Sequence, residues 1–267
     1  MRAKSPKPLF RDTAIAAARA GGKVLLRYFT KKFRVDYKGE VNLVTEADHK
    51  AEAVIVSTLH RHFPDHQVLA EESGEGTRRA SPYKWIIDPL DGTTNFAHTF
   101  PMFCISIALE TRGEVVLGVV YDPLREEIFL AEKGRGAALN GRPIRVSQTE
   151  KLNGSLLVTG FAYDVREDLK NNLDHFGNFS LRAQGVRRTG SAALDLCYVA
   201  CGRLDGFWEM KLAPWDTAAG FLIATEAGAT VTDFKGQPYT IYLKEIVASN
   251  GRIHREMVEV LRLGQPH

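Results

Sequence analysis

The chain has 267 residues, which suits one large domain or two tightly joined subdomains. Hydrophobic residues make up 44% and charged residues 25%, and no stretch approaches the run of about 18 apolar residues that a membrane-spanning helix needs. The formal net charge of +3 is compatible with anionic small molecules but too weak to indicate binding to nucleic acid.

The three cysteines, Cys104, Cys197 and Cys201, all lie in apolar stretches. They are interpreted as buried, reduced thiols; the alternative is a redox or metal pair of Cys197 and Cys201, at i and i+4 on a predicted helix. Charged residues and Gly21-Gly22 interrupt residues 12–26, so the N-terminal region lacks the continuous apolar segment of a signal peptide. We therefore expect a cytoplasmic protein.

The first half of the chain predicts two helices followed by an antiparallel meander. Apolar spacing indicates a helix over 10–30, and a second helix begins near Thr45, where Thr45 and Asp48 have the spacing of a capping box. Apolar or alternating segments then predict strands at 67–72, 84–88, 104–110, 115–121 and 127–131.

The second half alternates between strands and helices, which is typical of a layered α/β arrangement. Strands are predicted at 155–160, 181–187, 205–210, 229–234 and 245–249. Helices are predicted at 164–176, 190–202, 214–227 and 252–263. The polar stretch 148–154 suggests a boundary between a first subdomain, residues 1–150, and a second, residues 151–267.

Two carboxylates follow a predicted buried strand in WIIDPLDGTTN, residues 85–95. Asp88 and Asp91 flank Pro89-Leu90, and a carboxylate in this position is costly unless a partner compensates its charge. Around a rigid turn both can face one cation, and Mg²⁺ prefers such oxygen ligands. If a helix starts after Gly92, its free amides would face an anion. The competing explanation is an ordinary Asp-Gly turn with an aspartate N-cap.

Two further acidic segments are ambiguous when each is considered alone. Asp216 follows Pro214 at a predicted helix start, where ordinary helix initiation explains both residues. Glu71 and Glu72 follow a strand, where acidic residues are commonly solvated. The interpretation of these segments therefore depends on their occurrence together.

The chain resembles the inositol monophosphatase family. The motifs that carry the resemblance are LAEES (69–73), DPLDGTTNF (88–96) and PWDTAAG (214–220), with further similarity in LVTEAD (43–48) and RRTGSAALDLCYVACGRLDG (187–206). The resemblance covers most of the chain and implies one domain with an α/β fold. Its layers would be α-β-α-β-α, as in fructose-1,6-bisphosphatases, with the metal site in the first subdomain and the substrate side in the second.

The resemblance also implies roles for individual residues. The metal ligands would be Glu71, Asp88, the carbonyl of Leu90, Asp91 and Asp216, holding two to three Mg²⁺ ions. The substrate-binding residues would be Asp91, Gly92, Thr93, Gly190, Ser191, Ala192, Glu209 and Asp216. The catalytic residues would be Glu71, Thr93 and Asp48, the last two orienting the attacking water. Lys38 would lie near the third ion.

The activity implied by the resemblance is hydrolysis of a small phosphate monoester, foremost myo-inositol 1-phosphate, by metal-activated water without a covalent intermediate. A phosphorylated polyol or sugar as substrate, inhibition by Li⁺ and a homodimer go with it. Fructose 1,6-bisphosphate, histidinol phosphate or a nucleotide phosphate are alternative substrates. A non-catalytic, transcription-associated binding role is a further alternative.

Overall fold

A computed structural model of the protein describes residues 10–29, 35–37, 43–75 and 81–263. Lys38, predicted near the third ion, lies outside the described residues. Within the described residues, no helix combines the length and apolar character needed to cross a membrane.

The described residues form seven α-helices. These are α1 (Phe10–Tyr28), α2 (Glu46–His62), α3 (Thr93–Ala97), α4 (Leu173–Ser180), α5 (Ala192–Ala200), α6 (Pro214–Glu226) and α7 (His254–Leu261). The helices predicted near 10–30, 45–62, 190–202, 214–227 and 252–263 are confirmed as α1, α2, α5, α6 and α7. The helix expected directly after Gly92 is the short α3.

In the part of the chain that the structure describes, ten strands precede residue 150, and eight of them form the larger sheet. The strands are β1 (Val35–Tyr37), β2 (Leu43–Thr45), β3 (Gln67–Ala70), β4 (Gly74–Glu75), β5 (Tyr83–Asp91), β6 (Cys104–Thr111), β7 (Glu114–Asp122), β8 (Glu127–Glu132), β9 (Ala137–Leu139) and β10 (Arg142–Pro143). The sheet order is β10-β9-β8-β7-β6-β5-β3-β4, while β1 and β2 pair with each other. The predicted antiparallel meander is present from β5 to β10, but β3 and β5 pair in parallel.

The smaller sheet has five strands, all from the second half of the chain. They are β11 (Leu156–Thr159), β12 (Gly185–Arg187), β13 (Gly206–Met210), β14 (Thr230–Thr232) and β15 (Glu245–Ser249), in the order β12-β11-β13-β15-β14. The central strand β13 is parallel to β11 and antiparallel to β15. The division into subdomains near residue 150 remains a prediction.

The central strands β5 and β13 are buried on both faces, which gives the molecule five layers. In β5, Ile87 packs in the core beneath α1 and α2, whereas Ile86 packs in the core that contains α5 and α6. In β13, Phe207 joins the core of α5 and α6, and Trp208 packs toward α4 and α7. Since successive strand residues face opposite sides, each sheet lies between two helical layers. The predicted α-β-α-β-α fold is confirmed.

The helix predicted at 164–176 is wrong, because residues 161–172 form turns and bends and α4 begins only at Leu173. Polar side chains of this segment bind groups elsewhere: Asp164 and Asp168 accept hydrogen bonds from Lys211. Short polar side chains engaged in this way compete with helix formation. The strand predicted at 181–187 is reduced to β12, because α4 extends to Ser180 and a turn follows it.

Candidate active site

Because β3 and β5 pair in parallel, the acidic segments at their carboxyl ends lie at the same end of the larger sheet. Ala70 pairs with Ile87, so Glu71 and Asp88, the residues that follow each of them, emerge side by side. Asp216 arrives from the first turn of α6, which packs against the same sheet. Residues far apart in the sequence therefore converge, as expected for the carboxyl ends of parallel strands.

These residues open onto a pocket of about 360 Å³. The predicted site residues that line it are Glu71, Asp88, Leu90, Asp91, Gly92, Thr93, Gly190, Ser191, Ala192, Glu209 and Asp216. Asp48 does not line this pocket; it lies in α2, whereas Glu71 and Glu72 follow β3. One carboxylate oxygen of each of the three residues lies within 4.8 Å of the others. The structure thus brings the predicted residues together, while their individual roles remain predictions.

The turn that carries Asp88 and Asp91 is held by its own hydrogen bonds. The Leu90 amide donates to Asp88 Oδ1 at 2.9 Å, and Thr93 Oγ1 donates to the Leu90 carbonyl at 3.0 Å. Gly92 has a φ of 100°, and a Cβ at this position would lie 2.8 Å from the Met102 carbonyl oxygen. Only glycine meets both conditions without strain, so Gly92 fixes the path of the chain into α3.

Asp91 links the two halves of the pocket. Its Oδ2 accepts hydrogen bonds from Ser191 Oγ at 2.6 Å and from the Ala193 amide at 2.8 Å. Cys104 Sγ lies 3.7 Å from the same oxygen and is a buried free thiol, as are Cys197 and the less buried Cys201. The Ser191 hydroxyl therefore positions Asp91 in this structure.

The acidic residues of the pocket carry a high electrostatic cost. Burial raises the pKa of Asp88 well above its usual range, and the charges of Glu71, Asp91 and Asp216 raise it further. Burial also raises the pKa of Asp91. The pKa of Asp216 rises to about 7 for the same reason, although the hydrogen bond from the Ala213 amide opposes the shift. A cation bound among these groups would remove the cost.

The donor set fits Mg²⁺. All of the predicted ligands are oxygen atoms, from four carboxylates and one backbone carbonyl, and Mg²⁺ binds such groups in preference to nitrogen or sulfur. Among the described residues, the basic side chains that line the pocket are those of Arg188 and Lys211, and Lys211 is already paired with Asp164 and Asp168. The charge of the buried aspartates is thus left for a bound cation to neutralise.

The sequence predicts that residues 161–163 and 187–192 face the substrate, and Tyr163 and Arg188 line this side of the pocket. Asp164 and Lys211 line it too, and the sequence predicts no role for them. Asp164 accepts a hydrogen bond from Lys211 Nζ at 2.7 Å. Arg188 lines the same wall, and its charge lowers the pKa of Glu209. No local motif signals Asp164 or Lys211, because the ion pair between them joins segments that are distant in the sequence.

Glu209 lies at the end of β13 on this side of the pocket. It is buried, and burial raises the pKa of its carboxyl group well above the usual range, with Asp195, Asp216 and Asp91 adding to the effect. A Cβ on Gly160 would lie 2.2 Å from Glu209 Oε1, so the carboxyl group rests directly against the Gly160 backbone. Glycine at position 160 therefore makes room for Glu209.

Comparison with known proteins agrees with this geometry. The model of the inositol monophosphatase family matches residues 9–263. An inositol-1-monophosphatase from Synechocystis sp. is 48% identical over 251 residues, which cover 94% of this chain and 88% of that protein. The Nus factor SuhB of Escherichia coli is 42% identical over 253 residues, 94% of this chain and 95% of its own.

A solved structure shows the same fold. The inositol monophosphatase from Anabaena (Nostoc) sp. superposes with a TM-score of 0.86 at 48% identity, and the match covers 94% of each chain. The chain belongs to the inositol monophosphatase family. It is accordingly a phosphatase of this superfamily, whose members act on small phosphorylated substrates.

Proposed function

We propose that the protein hydrolyses a small phosphate monoester with the help of Mg²⁺, and that its substrate is myo-inositol 1-phosphate. The observation that carries the proposal is the single pocket onto which Glu71, Asp88, Asp91, Asp216 and Glu209 all open. Four of these acids suit cations that bind a phosphate group. Glu209, on the opposite wall, suits the hydroxyl groups of a polyol.

In this proposal Glu71, Asp88, the Leu90 carbonyl, Asp91 and Asp216 hold two to three Mg²⁺ ions. Bound Mg²⁺ supplies positive charge that neutralises the phosphate oxygens, promotes ionisation of water and stabilises the departing alkoxide. The amides of Gly92 and Thr93 bind the phosphate group. Asp91 is fixed by Ser191 and Ala193, which supports a role as a ligand rather than as a mobile nucleophile.

Hydrolysis proceeds by direct attack of water on phosphorus. A bond forms between the water oxygen and phosphorus while the ester oxygen–phosphorus bond breaks, and the departing alcohol takes up a proton. Thr93 and Asp48 orient the attacking water, and Glu71, the third catalytic residue, lies beside Asp48. A phosphorylated aspartate trapped by acid quench during turnover would contradict this route.

The alcohol is recognised by the second half of the chain. Glu209 accepts hydrogen bonds from polyol hydroxyl groups, and Gly190 and Ala192 leave space for the ring. Arg188 and Asp164 border the same space, so a polar, hydroxyl-rich alcohol matches the lining better than an apolar one. Inhibition by Li⁺, a cytoplasmic location and a homodimer remain predictions from the family resemblance.

A substrate panel tests the proposal. Phosphate release is measured with and without Mg²⁺ for myo-inositol 1-phosphate, fructose 1,6-bisphosphate, histidinol phosphate and AMP. We expect Mg²⁺-dependent turnover with the highest kcat/KM for myo-inositol 1-phosphate. If another member of the panel has the highest kcat/KM, the proposed substrate is wrong, whereas the proposed reaction, Mg²⁺-dependent hydrolysis of a phosphate monoester, stands. No turnover of any member would reject the catalytic proposal.

The transcription-associated binding role is the second candidate, and relatives named Nus factor SuhB support it at 42 to 44% identity. The two candidate functions are separated by measuring turnover and binding to purified bacterial RNA polymerase, both for the wild-type protein and for the variant Asp91→Asn. Binding that persists in this variant while turnover is lost would establish a role independent of catalysis. Absence of binding by the active wild-type protein would exclude it.

A further inference from the structure

The wall of the pocket opposite the acidic residues is a loop, residues 160–172, between β11 and α4. Five consecutive residues of this loop line the pocket, Gly160, Phe161, Ala162, Tyr163 and Asp164. The segment has no helix or strand of its own. Backbone hydrogen bonds within residues 162–168 form turns, and side-chain contacts join the two ends of the loop.

The two ends meet at the side chain of Asn172. Asn172 Nδ2 donates to the Gly160 carbonyl and to Thr159 Oγ1, both at 2.7 Å. Asn172 Oδ1 accepts a hydrogen bond from Trp208 Nε1 at 2.8 Å. The side chains of Asn172, Thr159 and Trp208 are at most 1% exposed, so no water competes for these bonds.

This use of Asn172 differs from the ordinary one. Asn172 occupies the N-cap position of α4, where an asparagine usually bonds an amide of the first helical turn. The Asn172 side chain makes no such cap bond. Its two polar atoms instead bind the end of β11 and the Trp208 side chain of β13, which indicates a role in holding the loop rather than in starting the helix.

The same network supports Glu209. Trp208, which bonds Asn172, immediately precedes Glu209 on β13, and the Thr159 hydroxyl donates to the Trp208 carbonyl. Gly160, whose carbonyl Asn172 fixes, is the residue against which the Glu209 carboxyl group rests. A shift at Asn172 would therefore move both the loop and Glu209.

We propose that Asn172 is a positioning residue for alcohol recognition: its amide group closes the base of loop 160–172 and holds Gly160 and Glu209 in the arrangement that receives the substrate's hydroxyl groups. The inference rests on the proposed function. The turn that carries Asp88, Asp91 and Gly92 lies on the other sheet and shares none of these hydrogen bonds. Loss of these hydrogen bonds therefore weakens binding of the alcohol part of the substrate and leaves binding of its phosphate group unchanged.

The test compares two substrates in the variant Asn172→Asp, which keeps the shape of the side chain and removes its donor. One substrate is the polyol or sugar phosphate with the highest kcat/KM in the wild-type protein. The other is p-nitrophenyl phosphate, whose alcohol has no further hydroxyl group. The matched control is Asn178→Ala, which alters another buried asparagine of α4, one that accepts a hydrogen bond from Arg182.

We expect KM for the polyol phosphate to rise about tenfold or more in Asn172→Asp, with kcat within about threefold of the wild type. For p-nitrophenyl phosphate, both constants should stay within about threefold. Thr159→Val should show the same selective rise in KM, whereas Thr159→Ser, which keeps the hydroxyl, should behave as the wild type. Asn178→Ala should not change the ratio of kcat/KM between the two substrates.

An unchanged ratio in a folded Asn172→Asp protein would overturn the inference, and so would an equal loss for both substrates. If circular dichroism shows that Asn172→Asp does not fold, the pair Thr159→Val and Thr159→Ser decides by the same criterion. A failure of the proposed function is seen earlier and separately, as absence of turnover by the wild-type protein, and it would remove the inference as well.

Discussion

Asp91 is a predicted metal ligand whose buried carboxylate destabilises the protein when no metal is bound. Its Oδ2 accepts hydrogen bonds from two groups of the second half, and burial nevertheless raises the pKa of its carboxyl group. Neighbouring Asp88 experiences the charge of Asp91 in turn. Residues of this kind are retained for function, because a neutral group would be easier to bury.

The variant Asp91→Asn should lose Mg²⁺-dependent turnover by more than about a hundredfold, since one metal ligand and its charge are removed. In EDTA its free energy of unfolding should equal or exceed that of the wild type, because a buried charge is relieved. Phosphate release and denaturant unfolding measure the two effects. Asp12→Asn, at an exposed site of α1, serves as control, and near-normal turnover in Asp91→Asn would mean that the metal site is misplaced.

Gly92 and Gly113 provide a matched pair, because both have a positive φ but only Gly92 is crowded. Gly113→Ala should cost about 1–3 kcal/mol in unfolding free energy from backbone strain. Gly92→Ala should cost about 1–3 kcal/mol more from the contact with Met102, and should also impair turnover. If Gly92→Ala and Gly113→Ala unfold at the same urea concentration, the contact with Met102 costs no stability and the prediction is wrong.

At the scale of elements, α7 is joined to the smaller sheet by His254. The ring lies 3.0 Å from Ser249 Oγ of β15 and 3.0 Å from Thr232 Oγ1 of β14. Burial lowers the pKa of His254 below the ordinary value of 6.5. The neutral imidazole is therefore the form that the fold accommodates.

This arrangement has a defined pH dependence. Because the folded pKa is lowered, the contribution of His254 to stability is fully present above pH 6.5 and is lost as the pH falls through the folded value. Between pH 7.5 and pH 5.5 the wild type should lose more unfolding free energy than His254→Gln, measured by urea unfolding in EDTA. The buried aspartates stabilise the fold as the pH falls, but they do so in both proteins, so the difference between the two proteins reports on His254. An identical change of unfolding free energy with pH in both proteins would contradict the role given to His254.

At the scale of the whole molecule, the pocket depends on two sheets that supply opposite walls. The acidic residues come from the larger sheet and from α6, and Glu209 comes from the smaller sheet. Asp91 joins the two walls through Ser191 and Ala193. Cations bound at the acidic wall should therefore stabilise the complete fold rather than one element.

Mg²⁺ should accordingly raise the unfolding temperature. At a hundredfold excess over its dissociation constant, a ligand that binds only the folded state stabilises it by about 2.7 kcal/mol, or roughly 5–10 °C in a chain of this size. Calorimetry with MgCl₂ at constant ionic strength measures the shift, which should be much smaller in Asp91→Asn. A shift of the same size in both proteins would place the cation elsewhere.

The local pattern of residues was sufficient for much of this protein. The period of apolar residues predicted α1, α2, α5, α6 and α7, and the turn residues around Asp88 and Asp91 predicted a carboxylate pair followed by a helix start. The pattern failed at 164–176, because a helical spacing there competes with side chains whose partners, such as Lys211 and Trp208, are remote in the sequence.

The sequence by itself determined most of the helices and strands, the acidic motifs and the family, since all three are recorded in short-range spacing. Only the tertiary structure decided that β3 runs parallel to β5, which sets Glu71 beside Asp88, and that Asn172 closes the loop next to Glu209. Such contacts depend on sheet order and on burial. Both are properties of the folded chain, because the partners meet only after distant segments pack together.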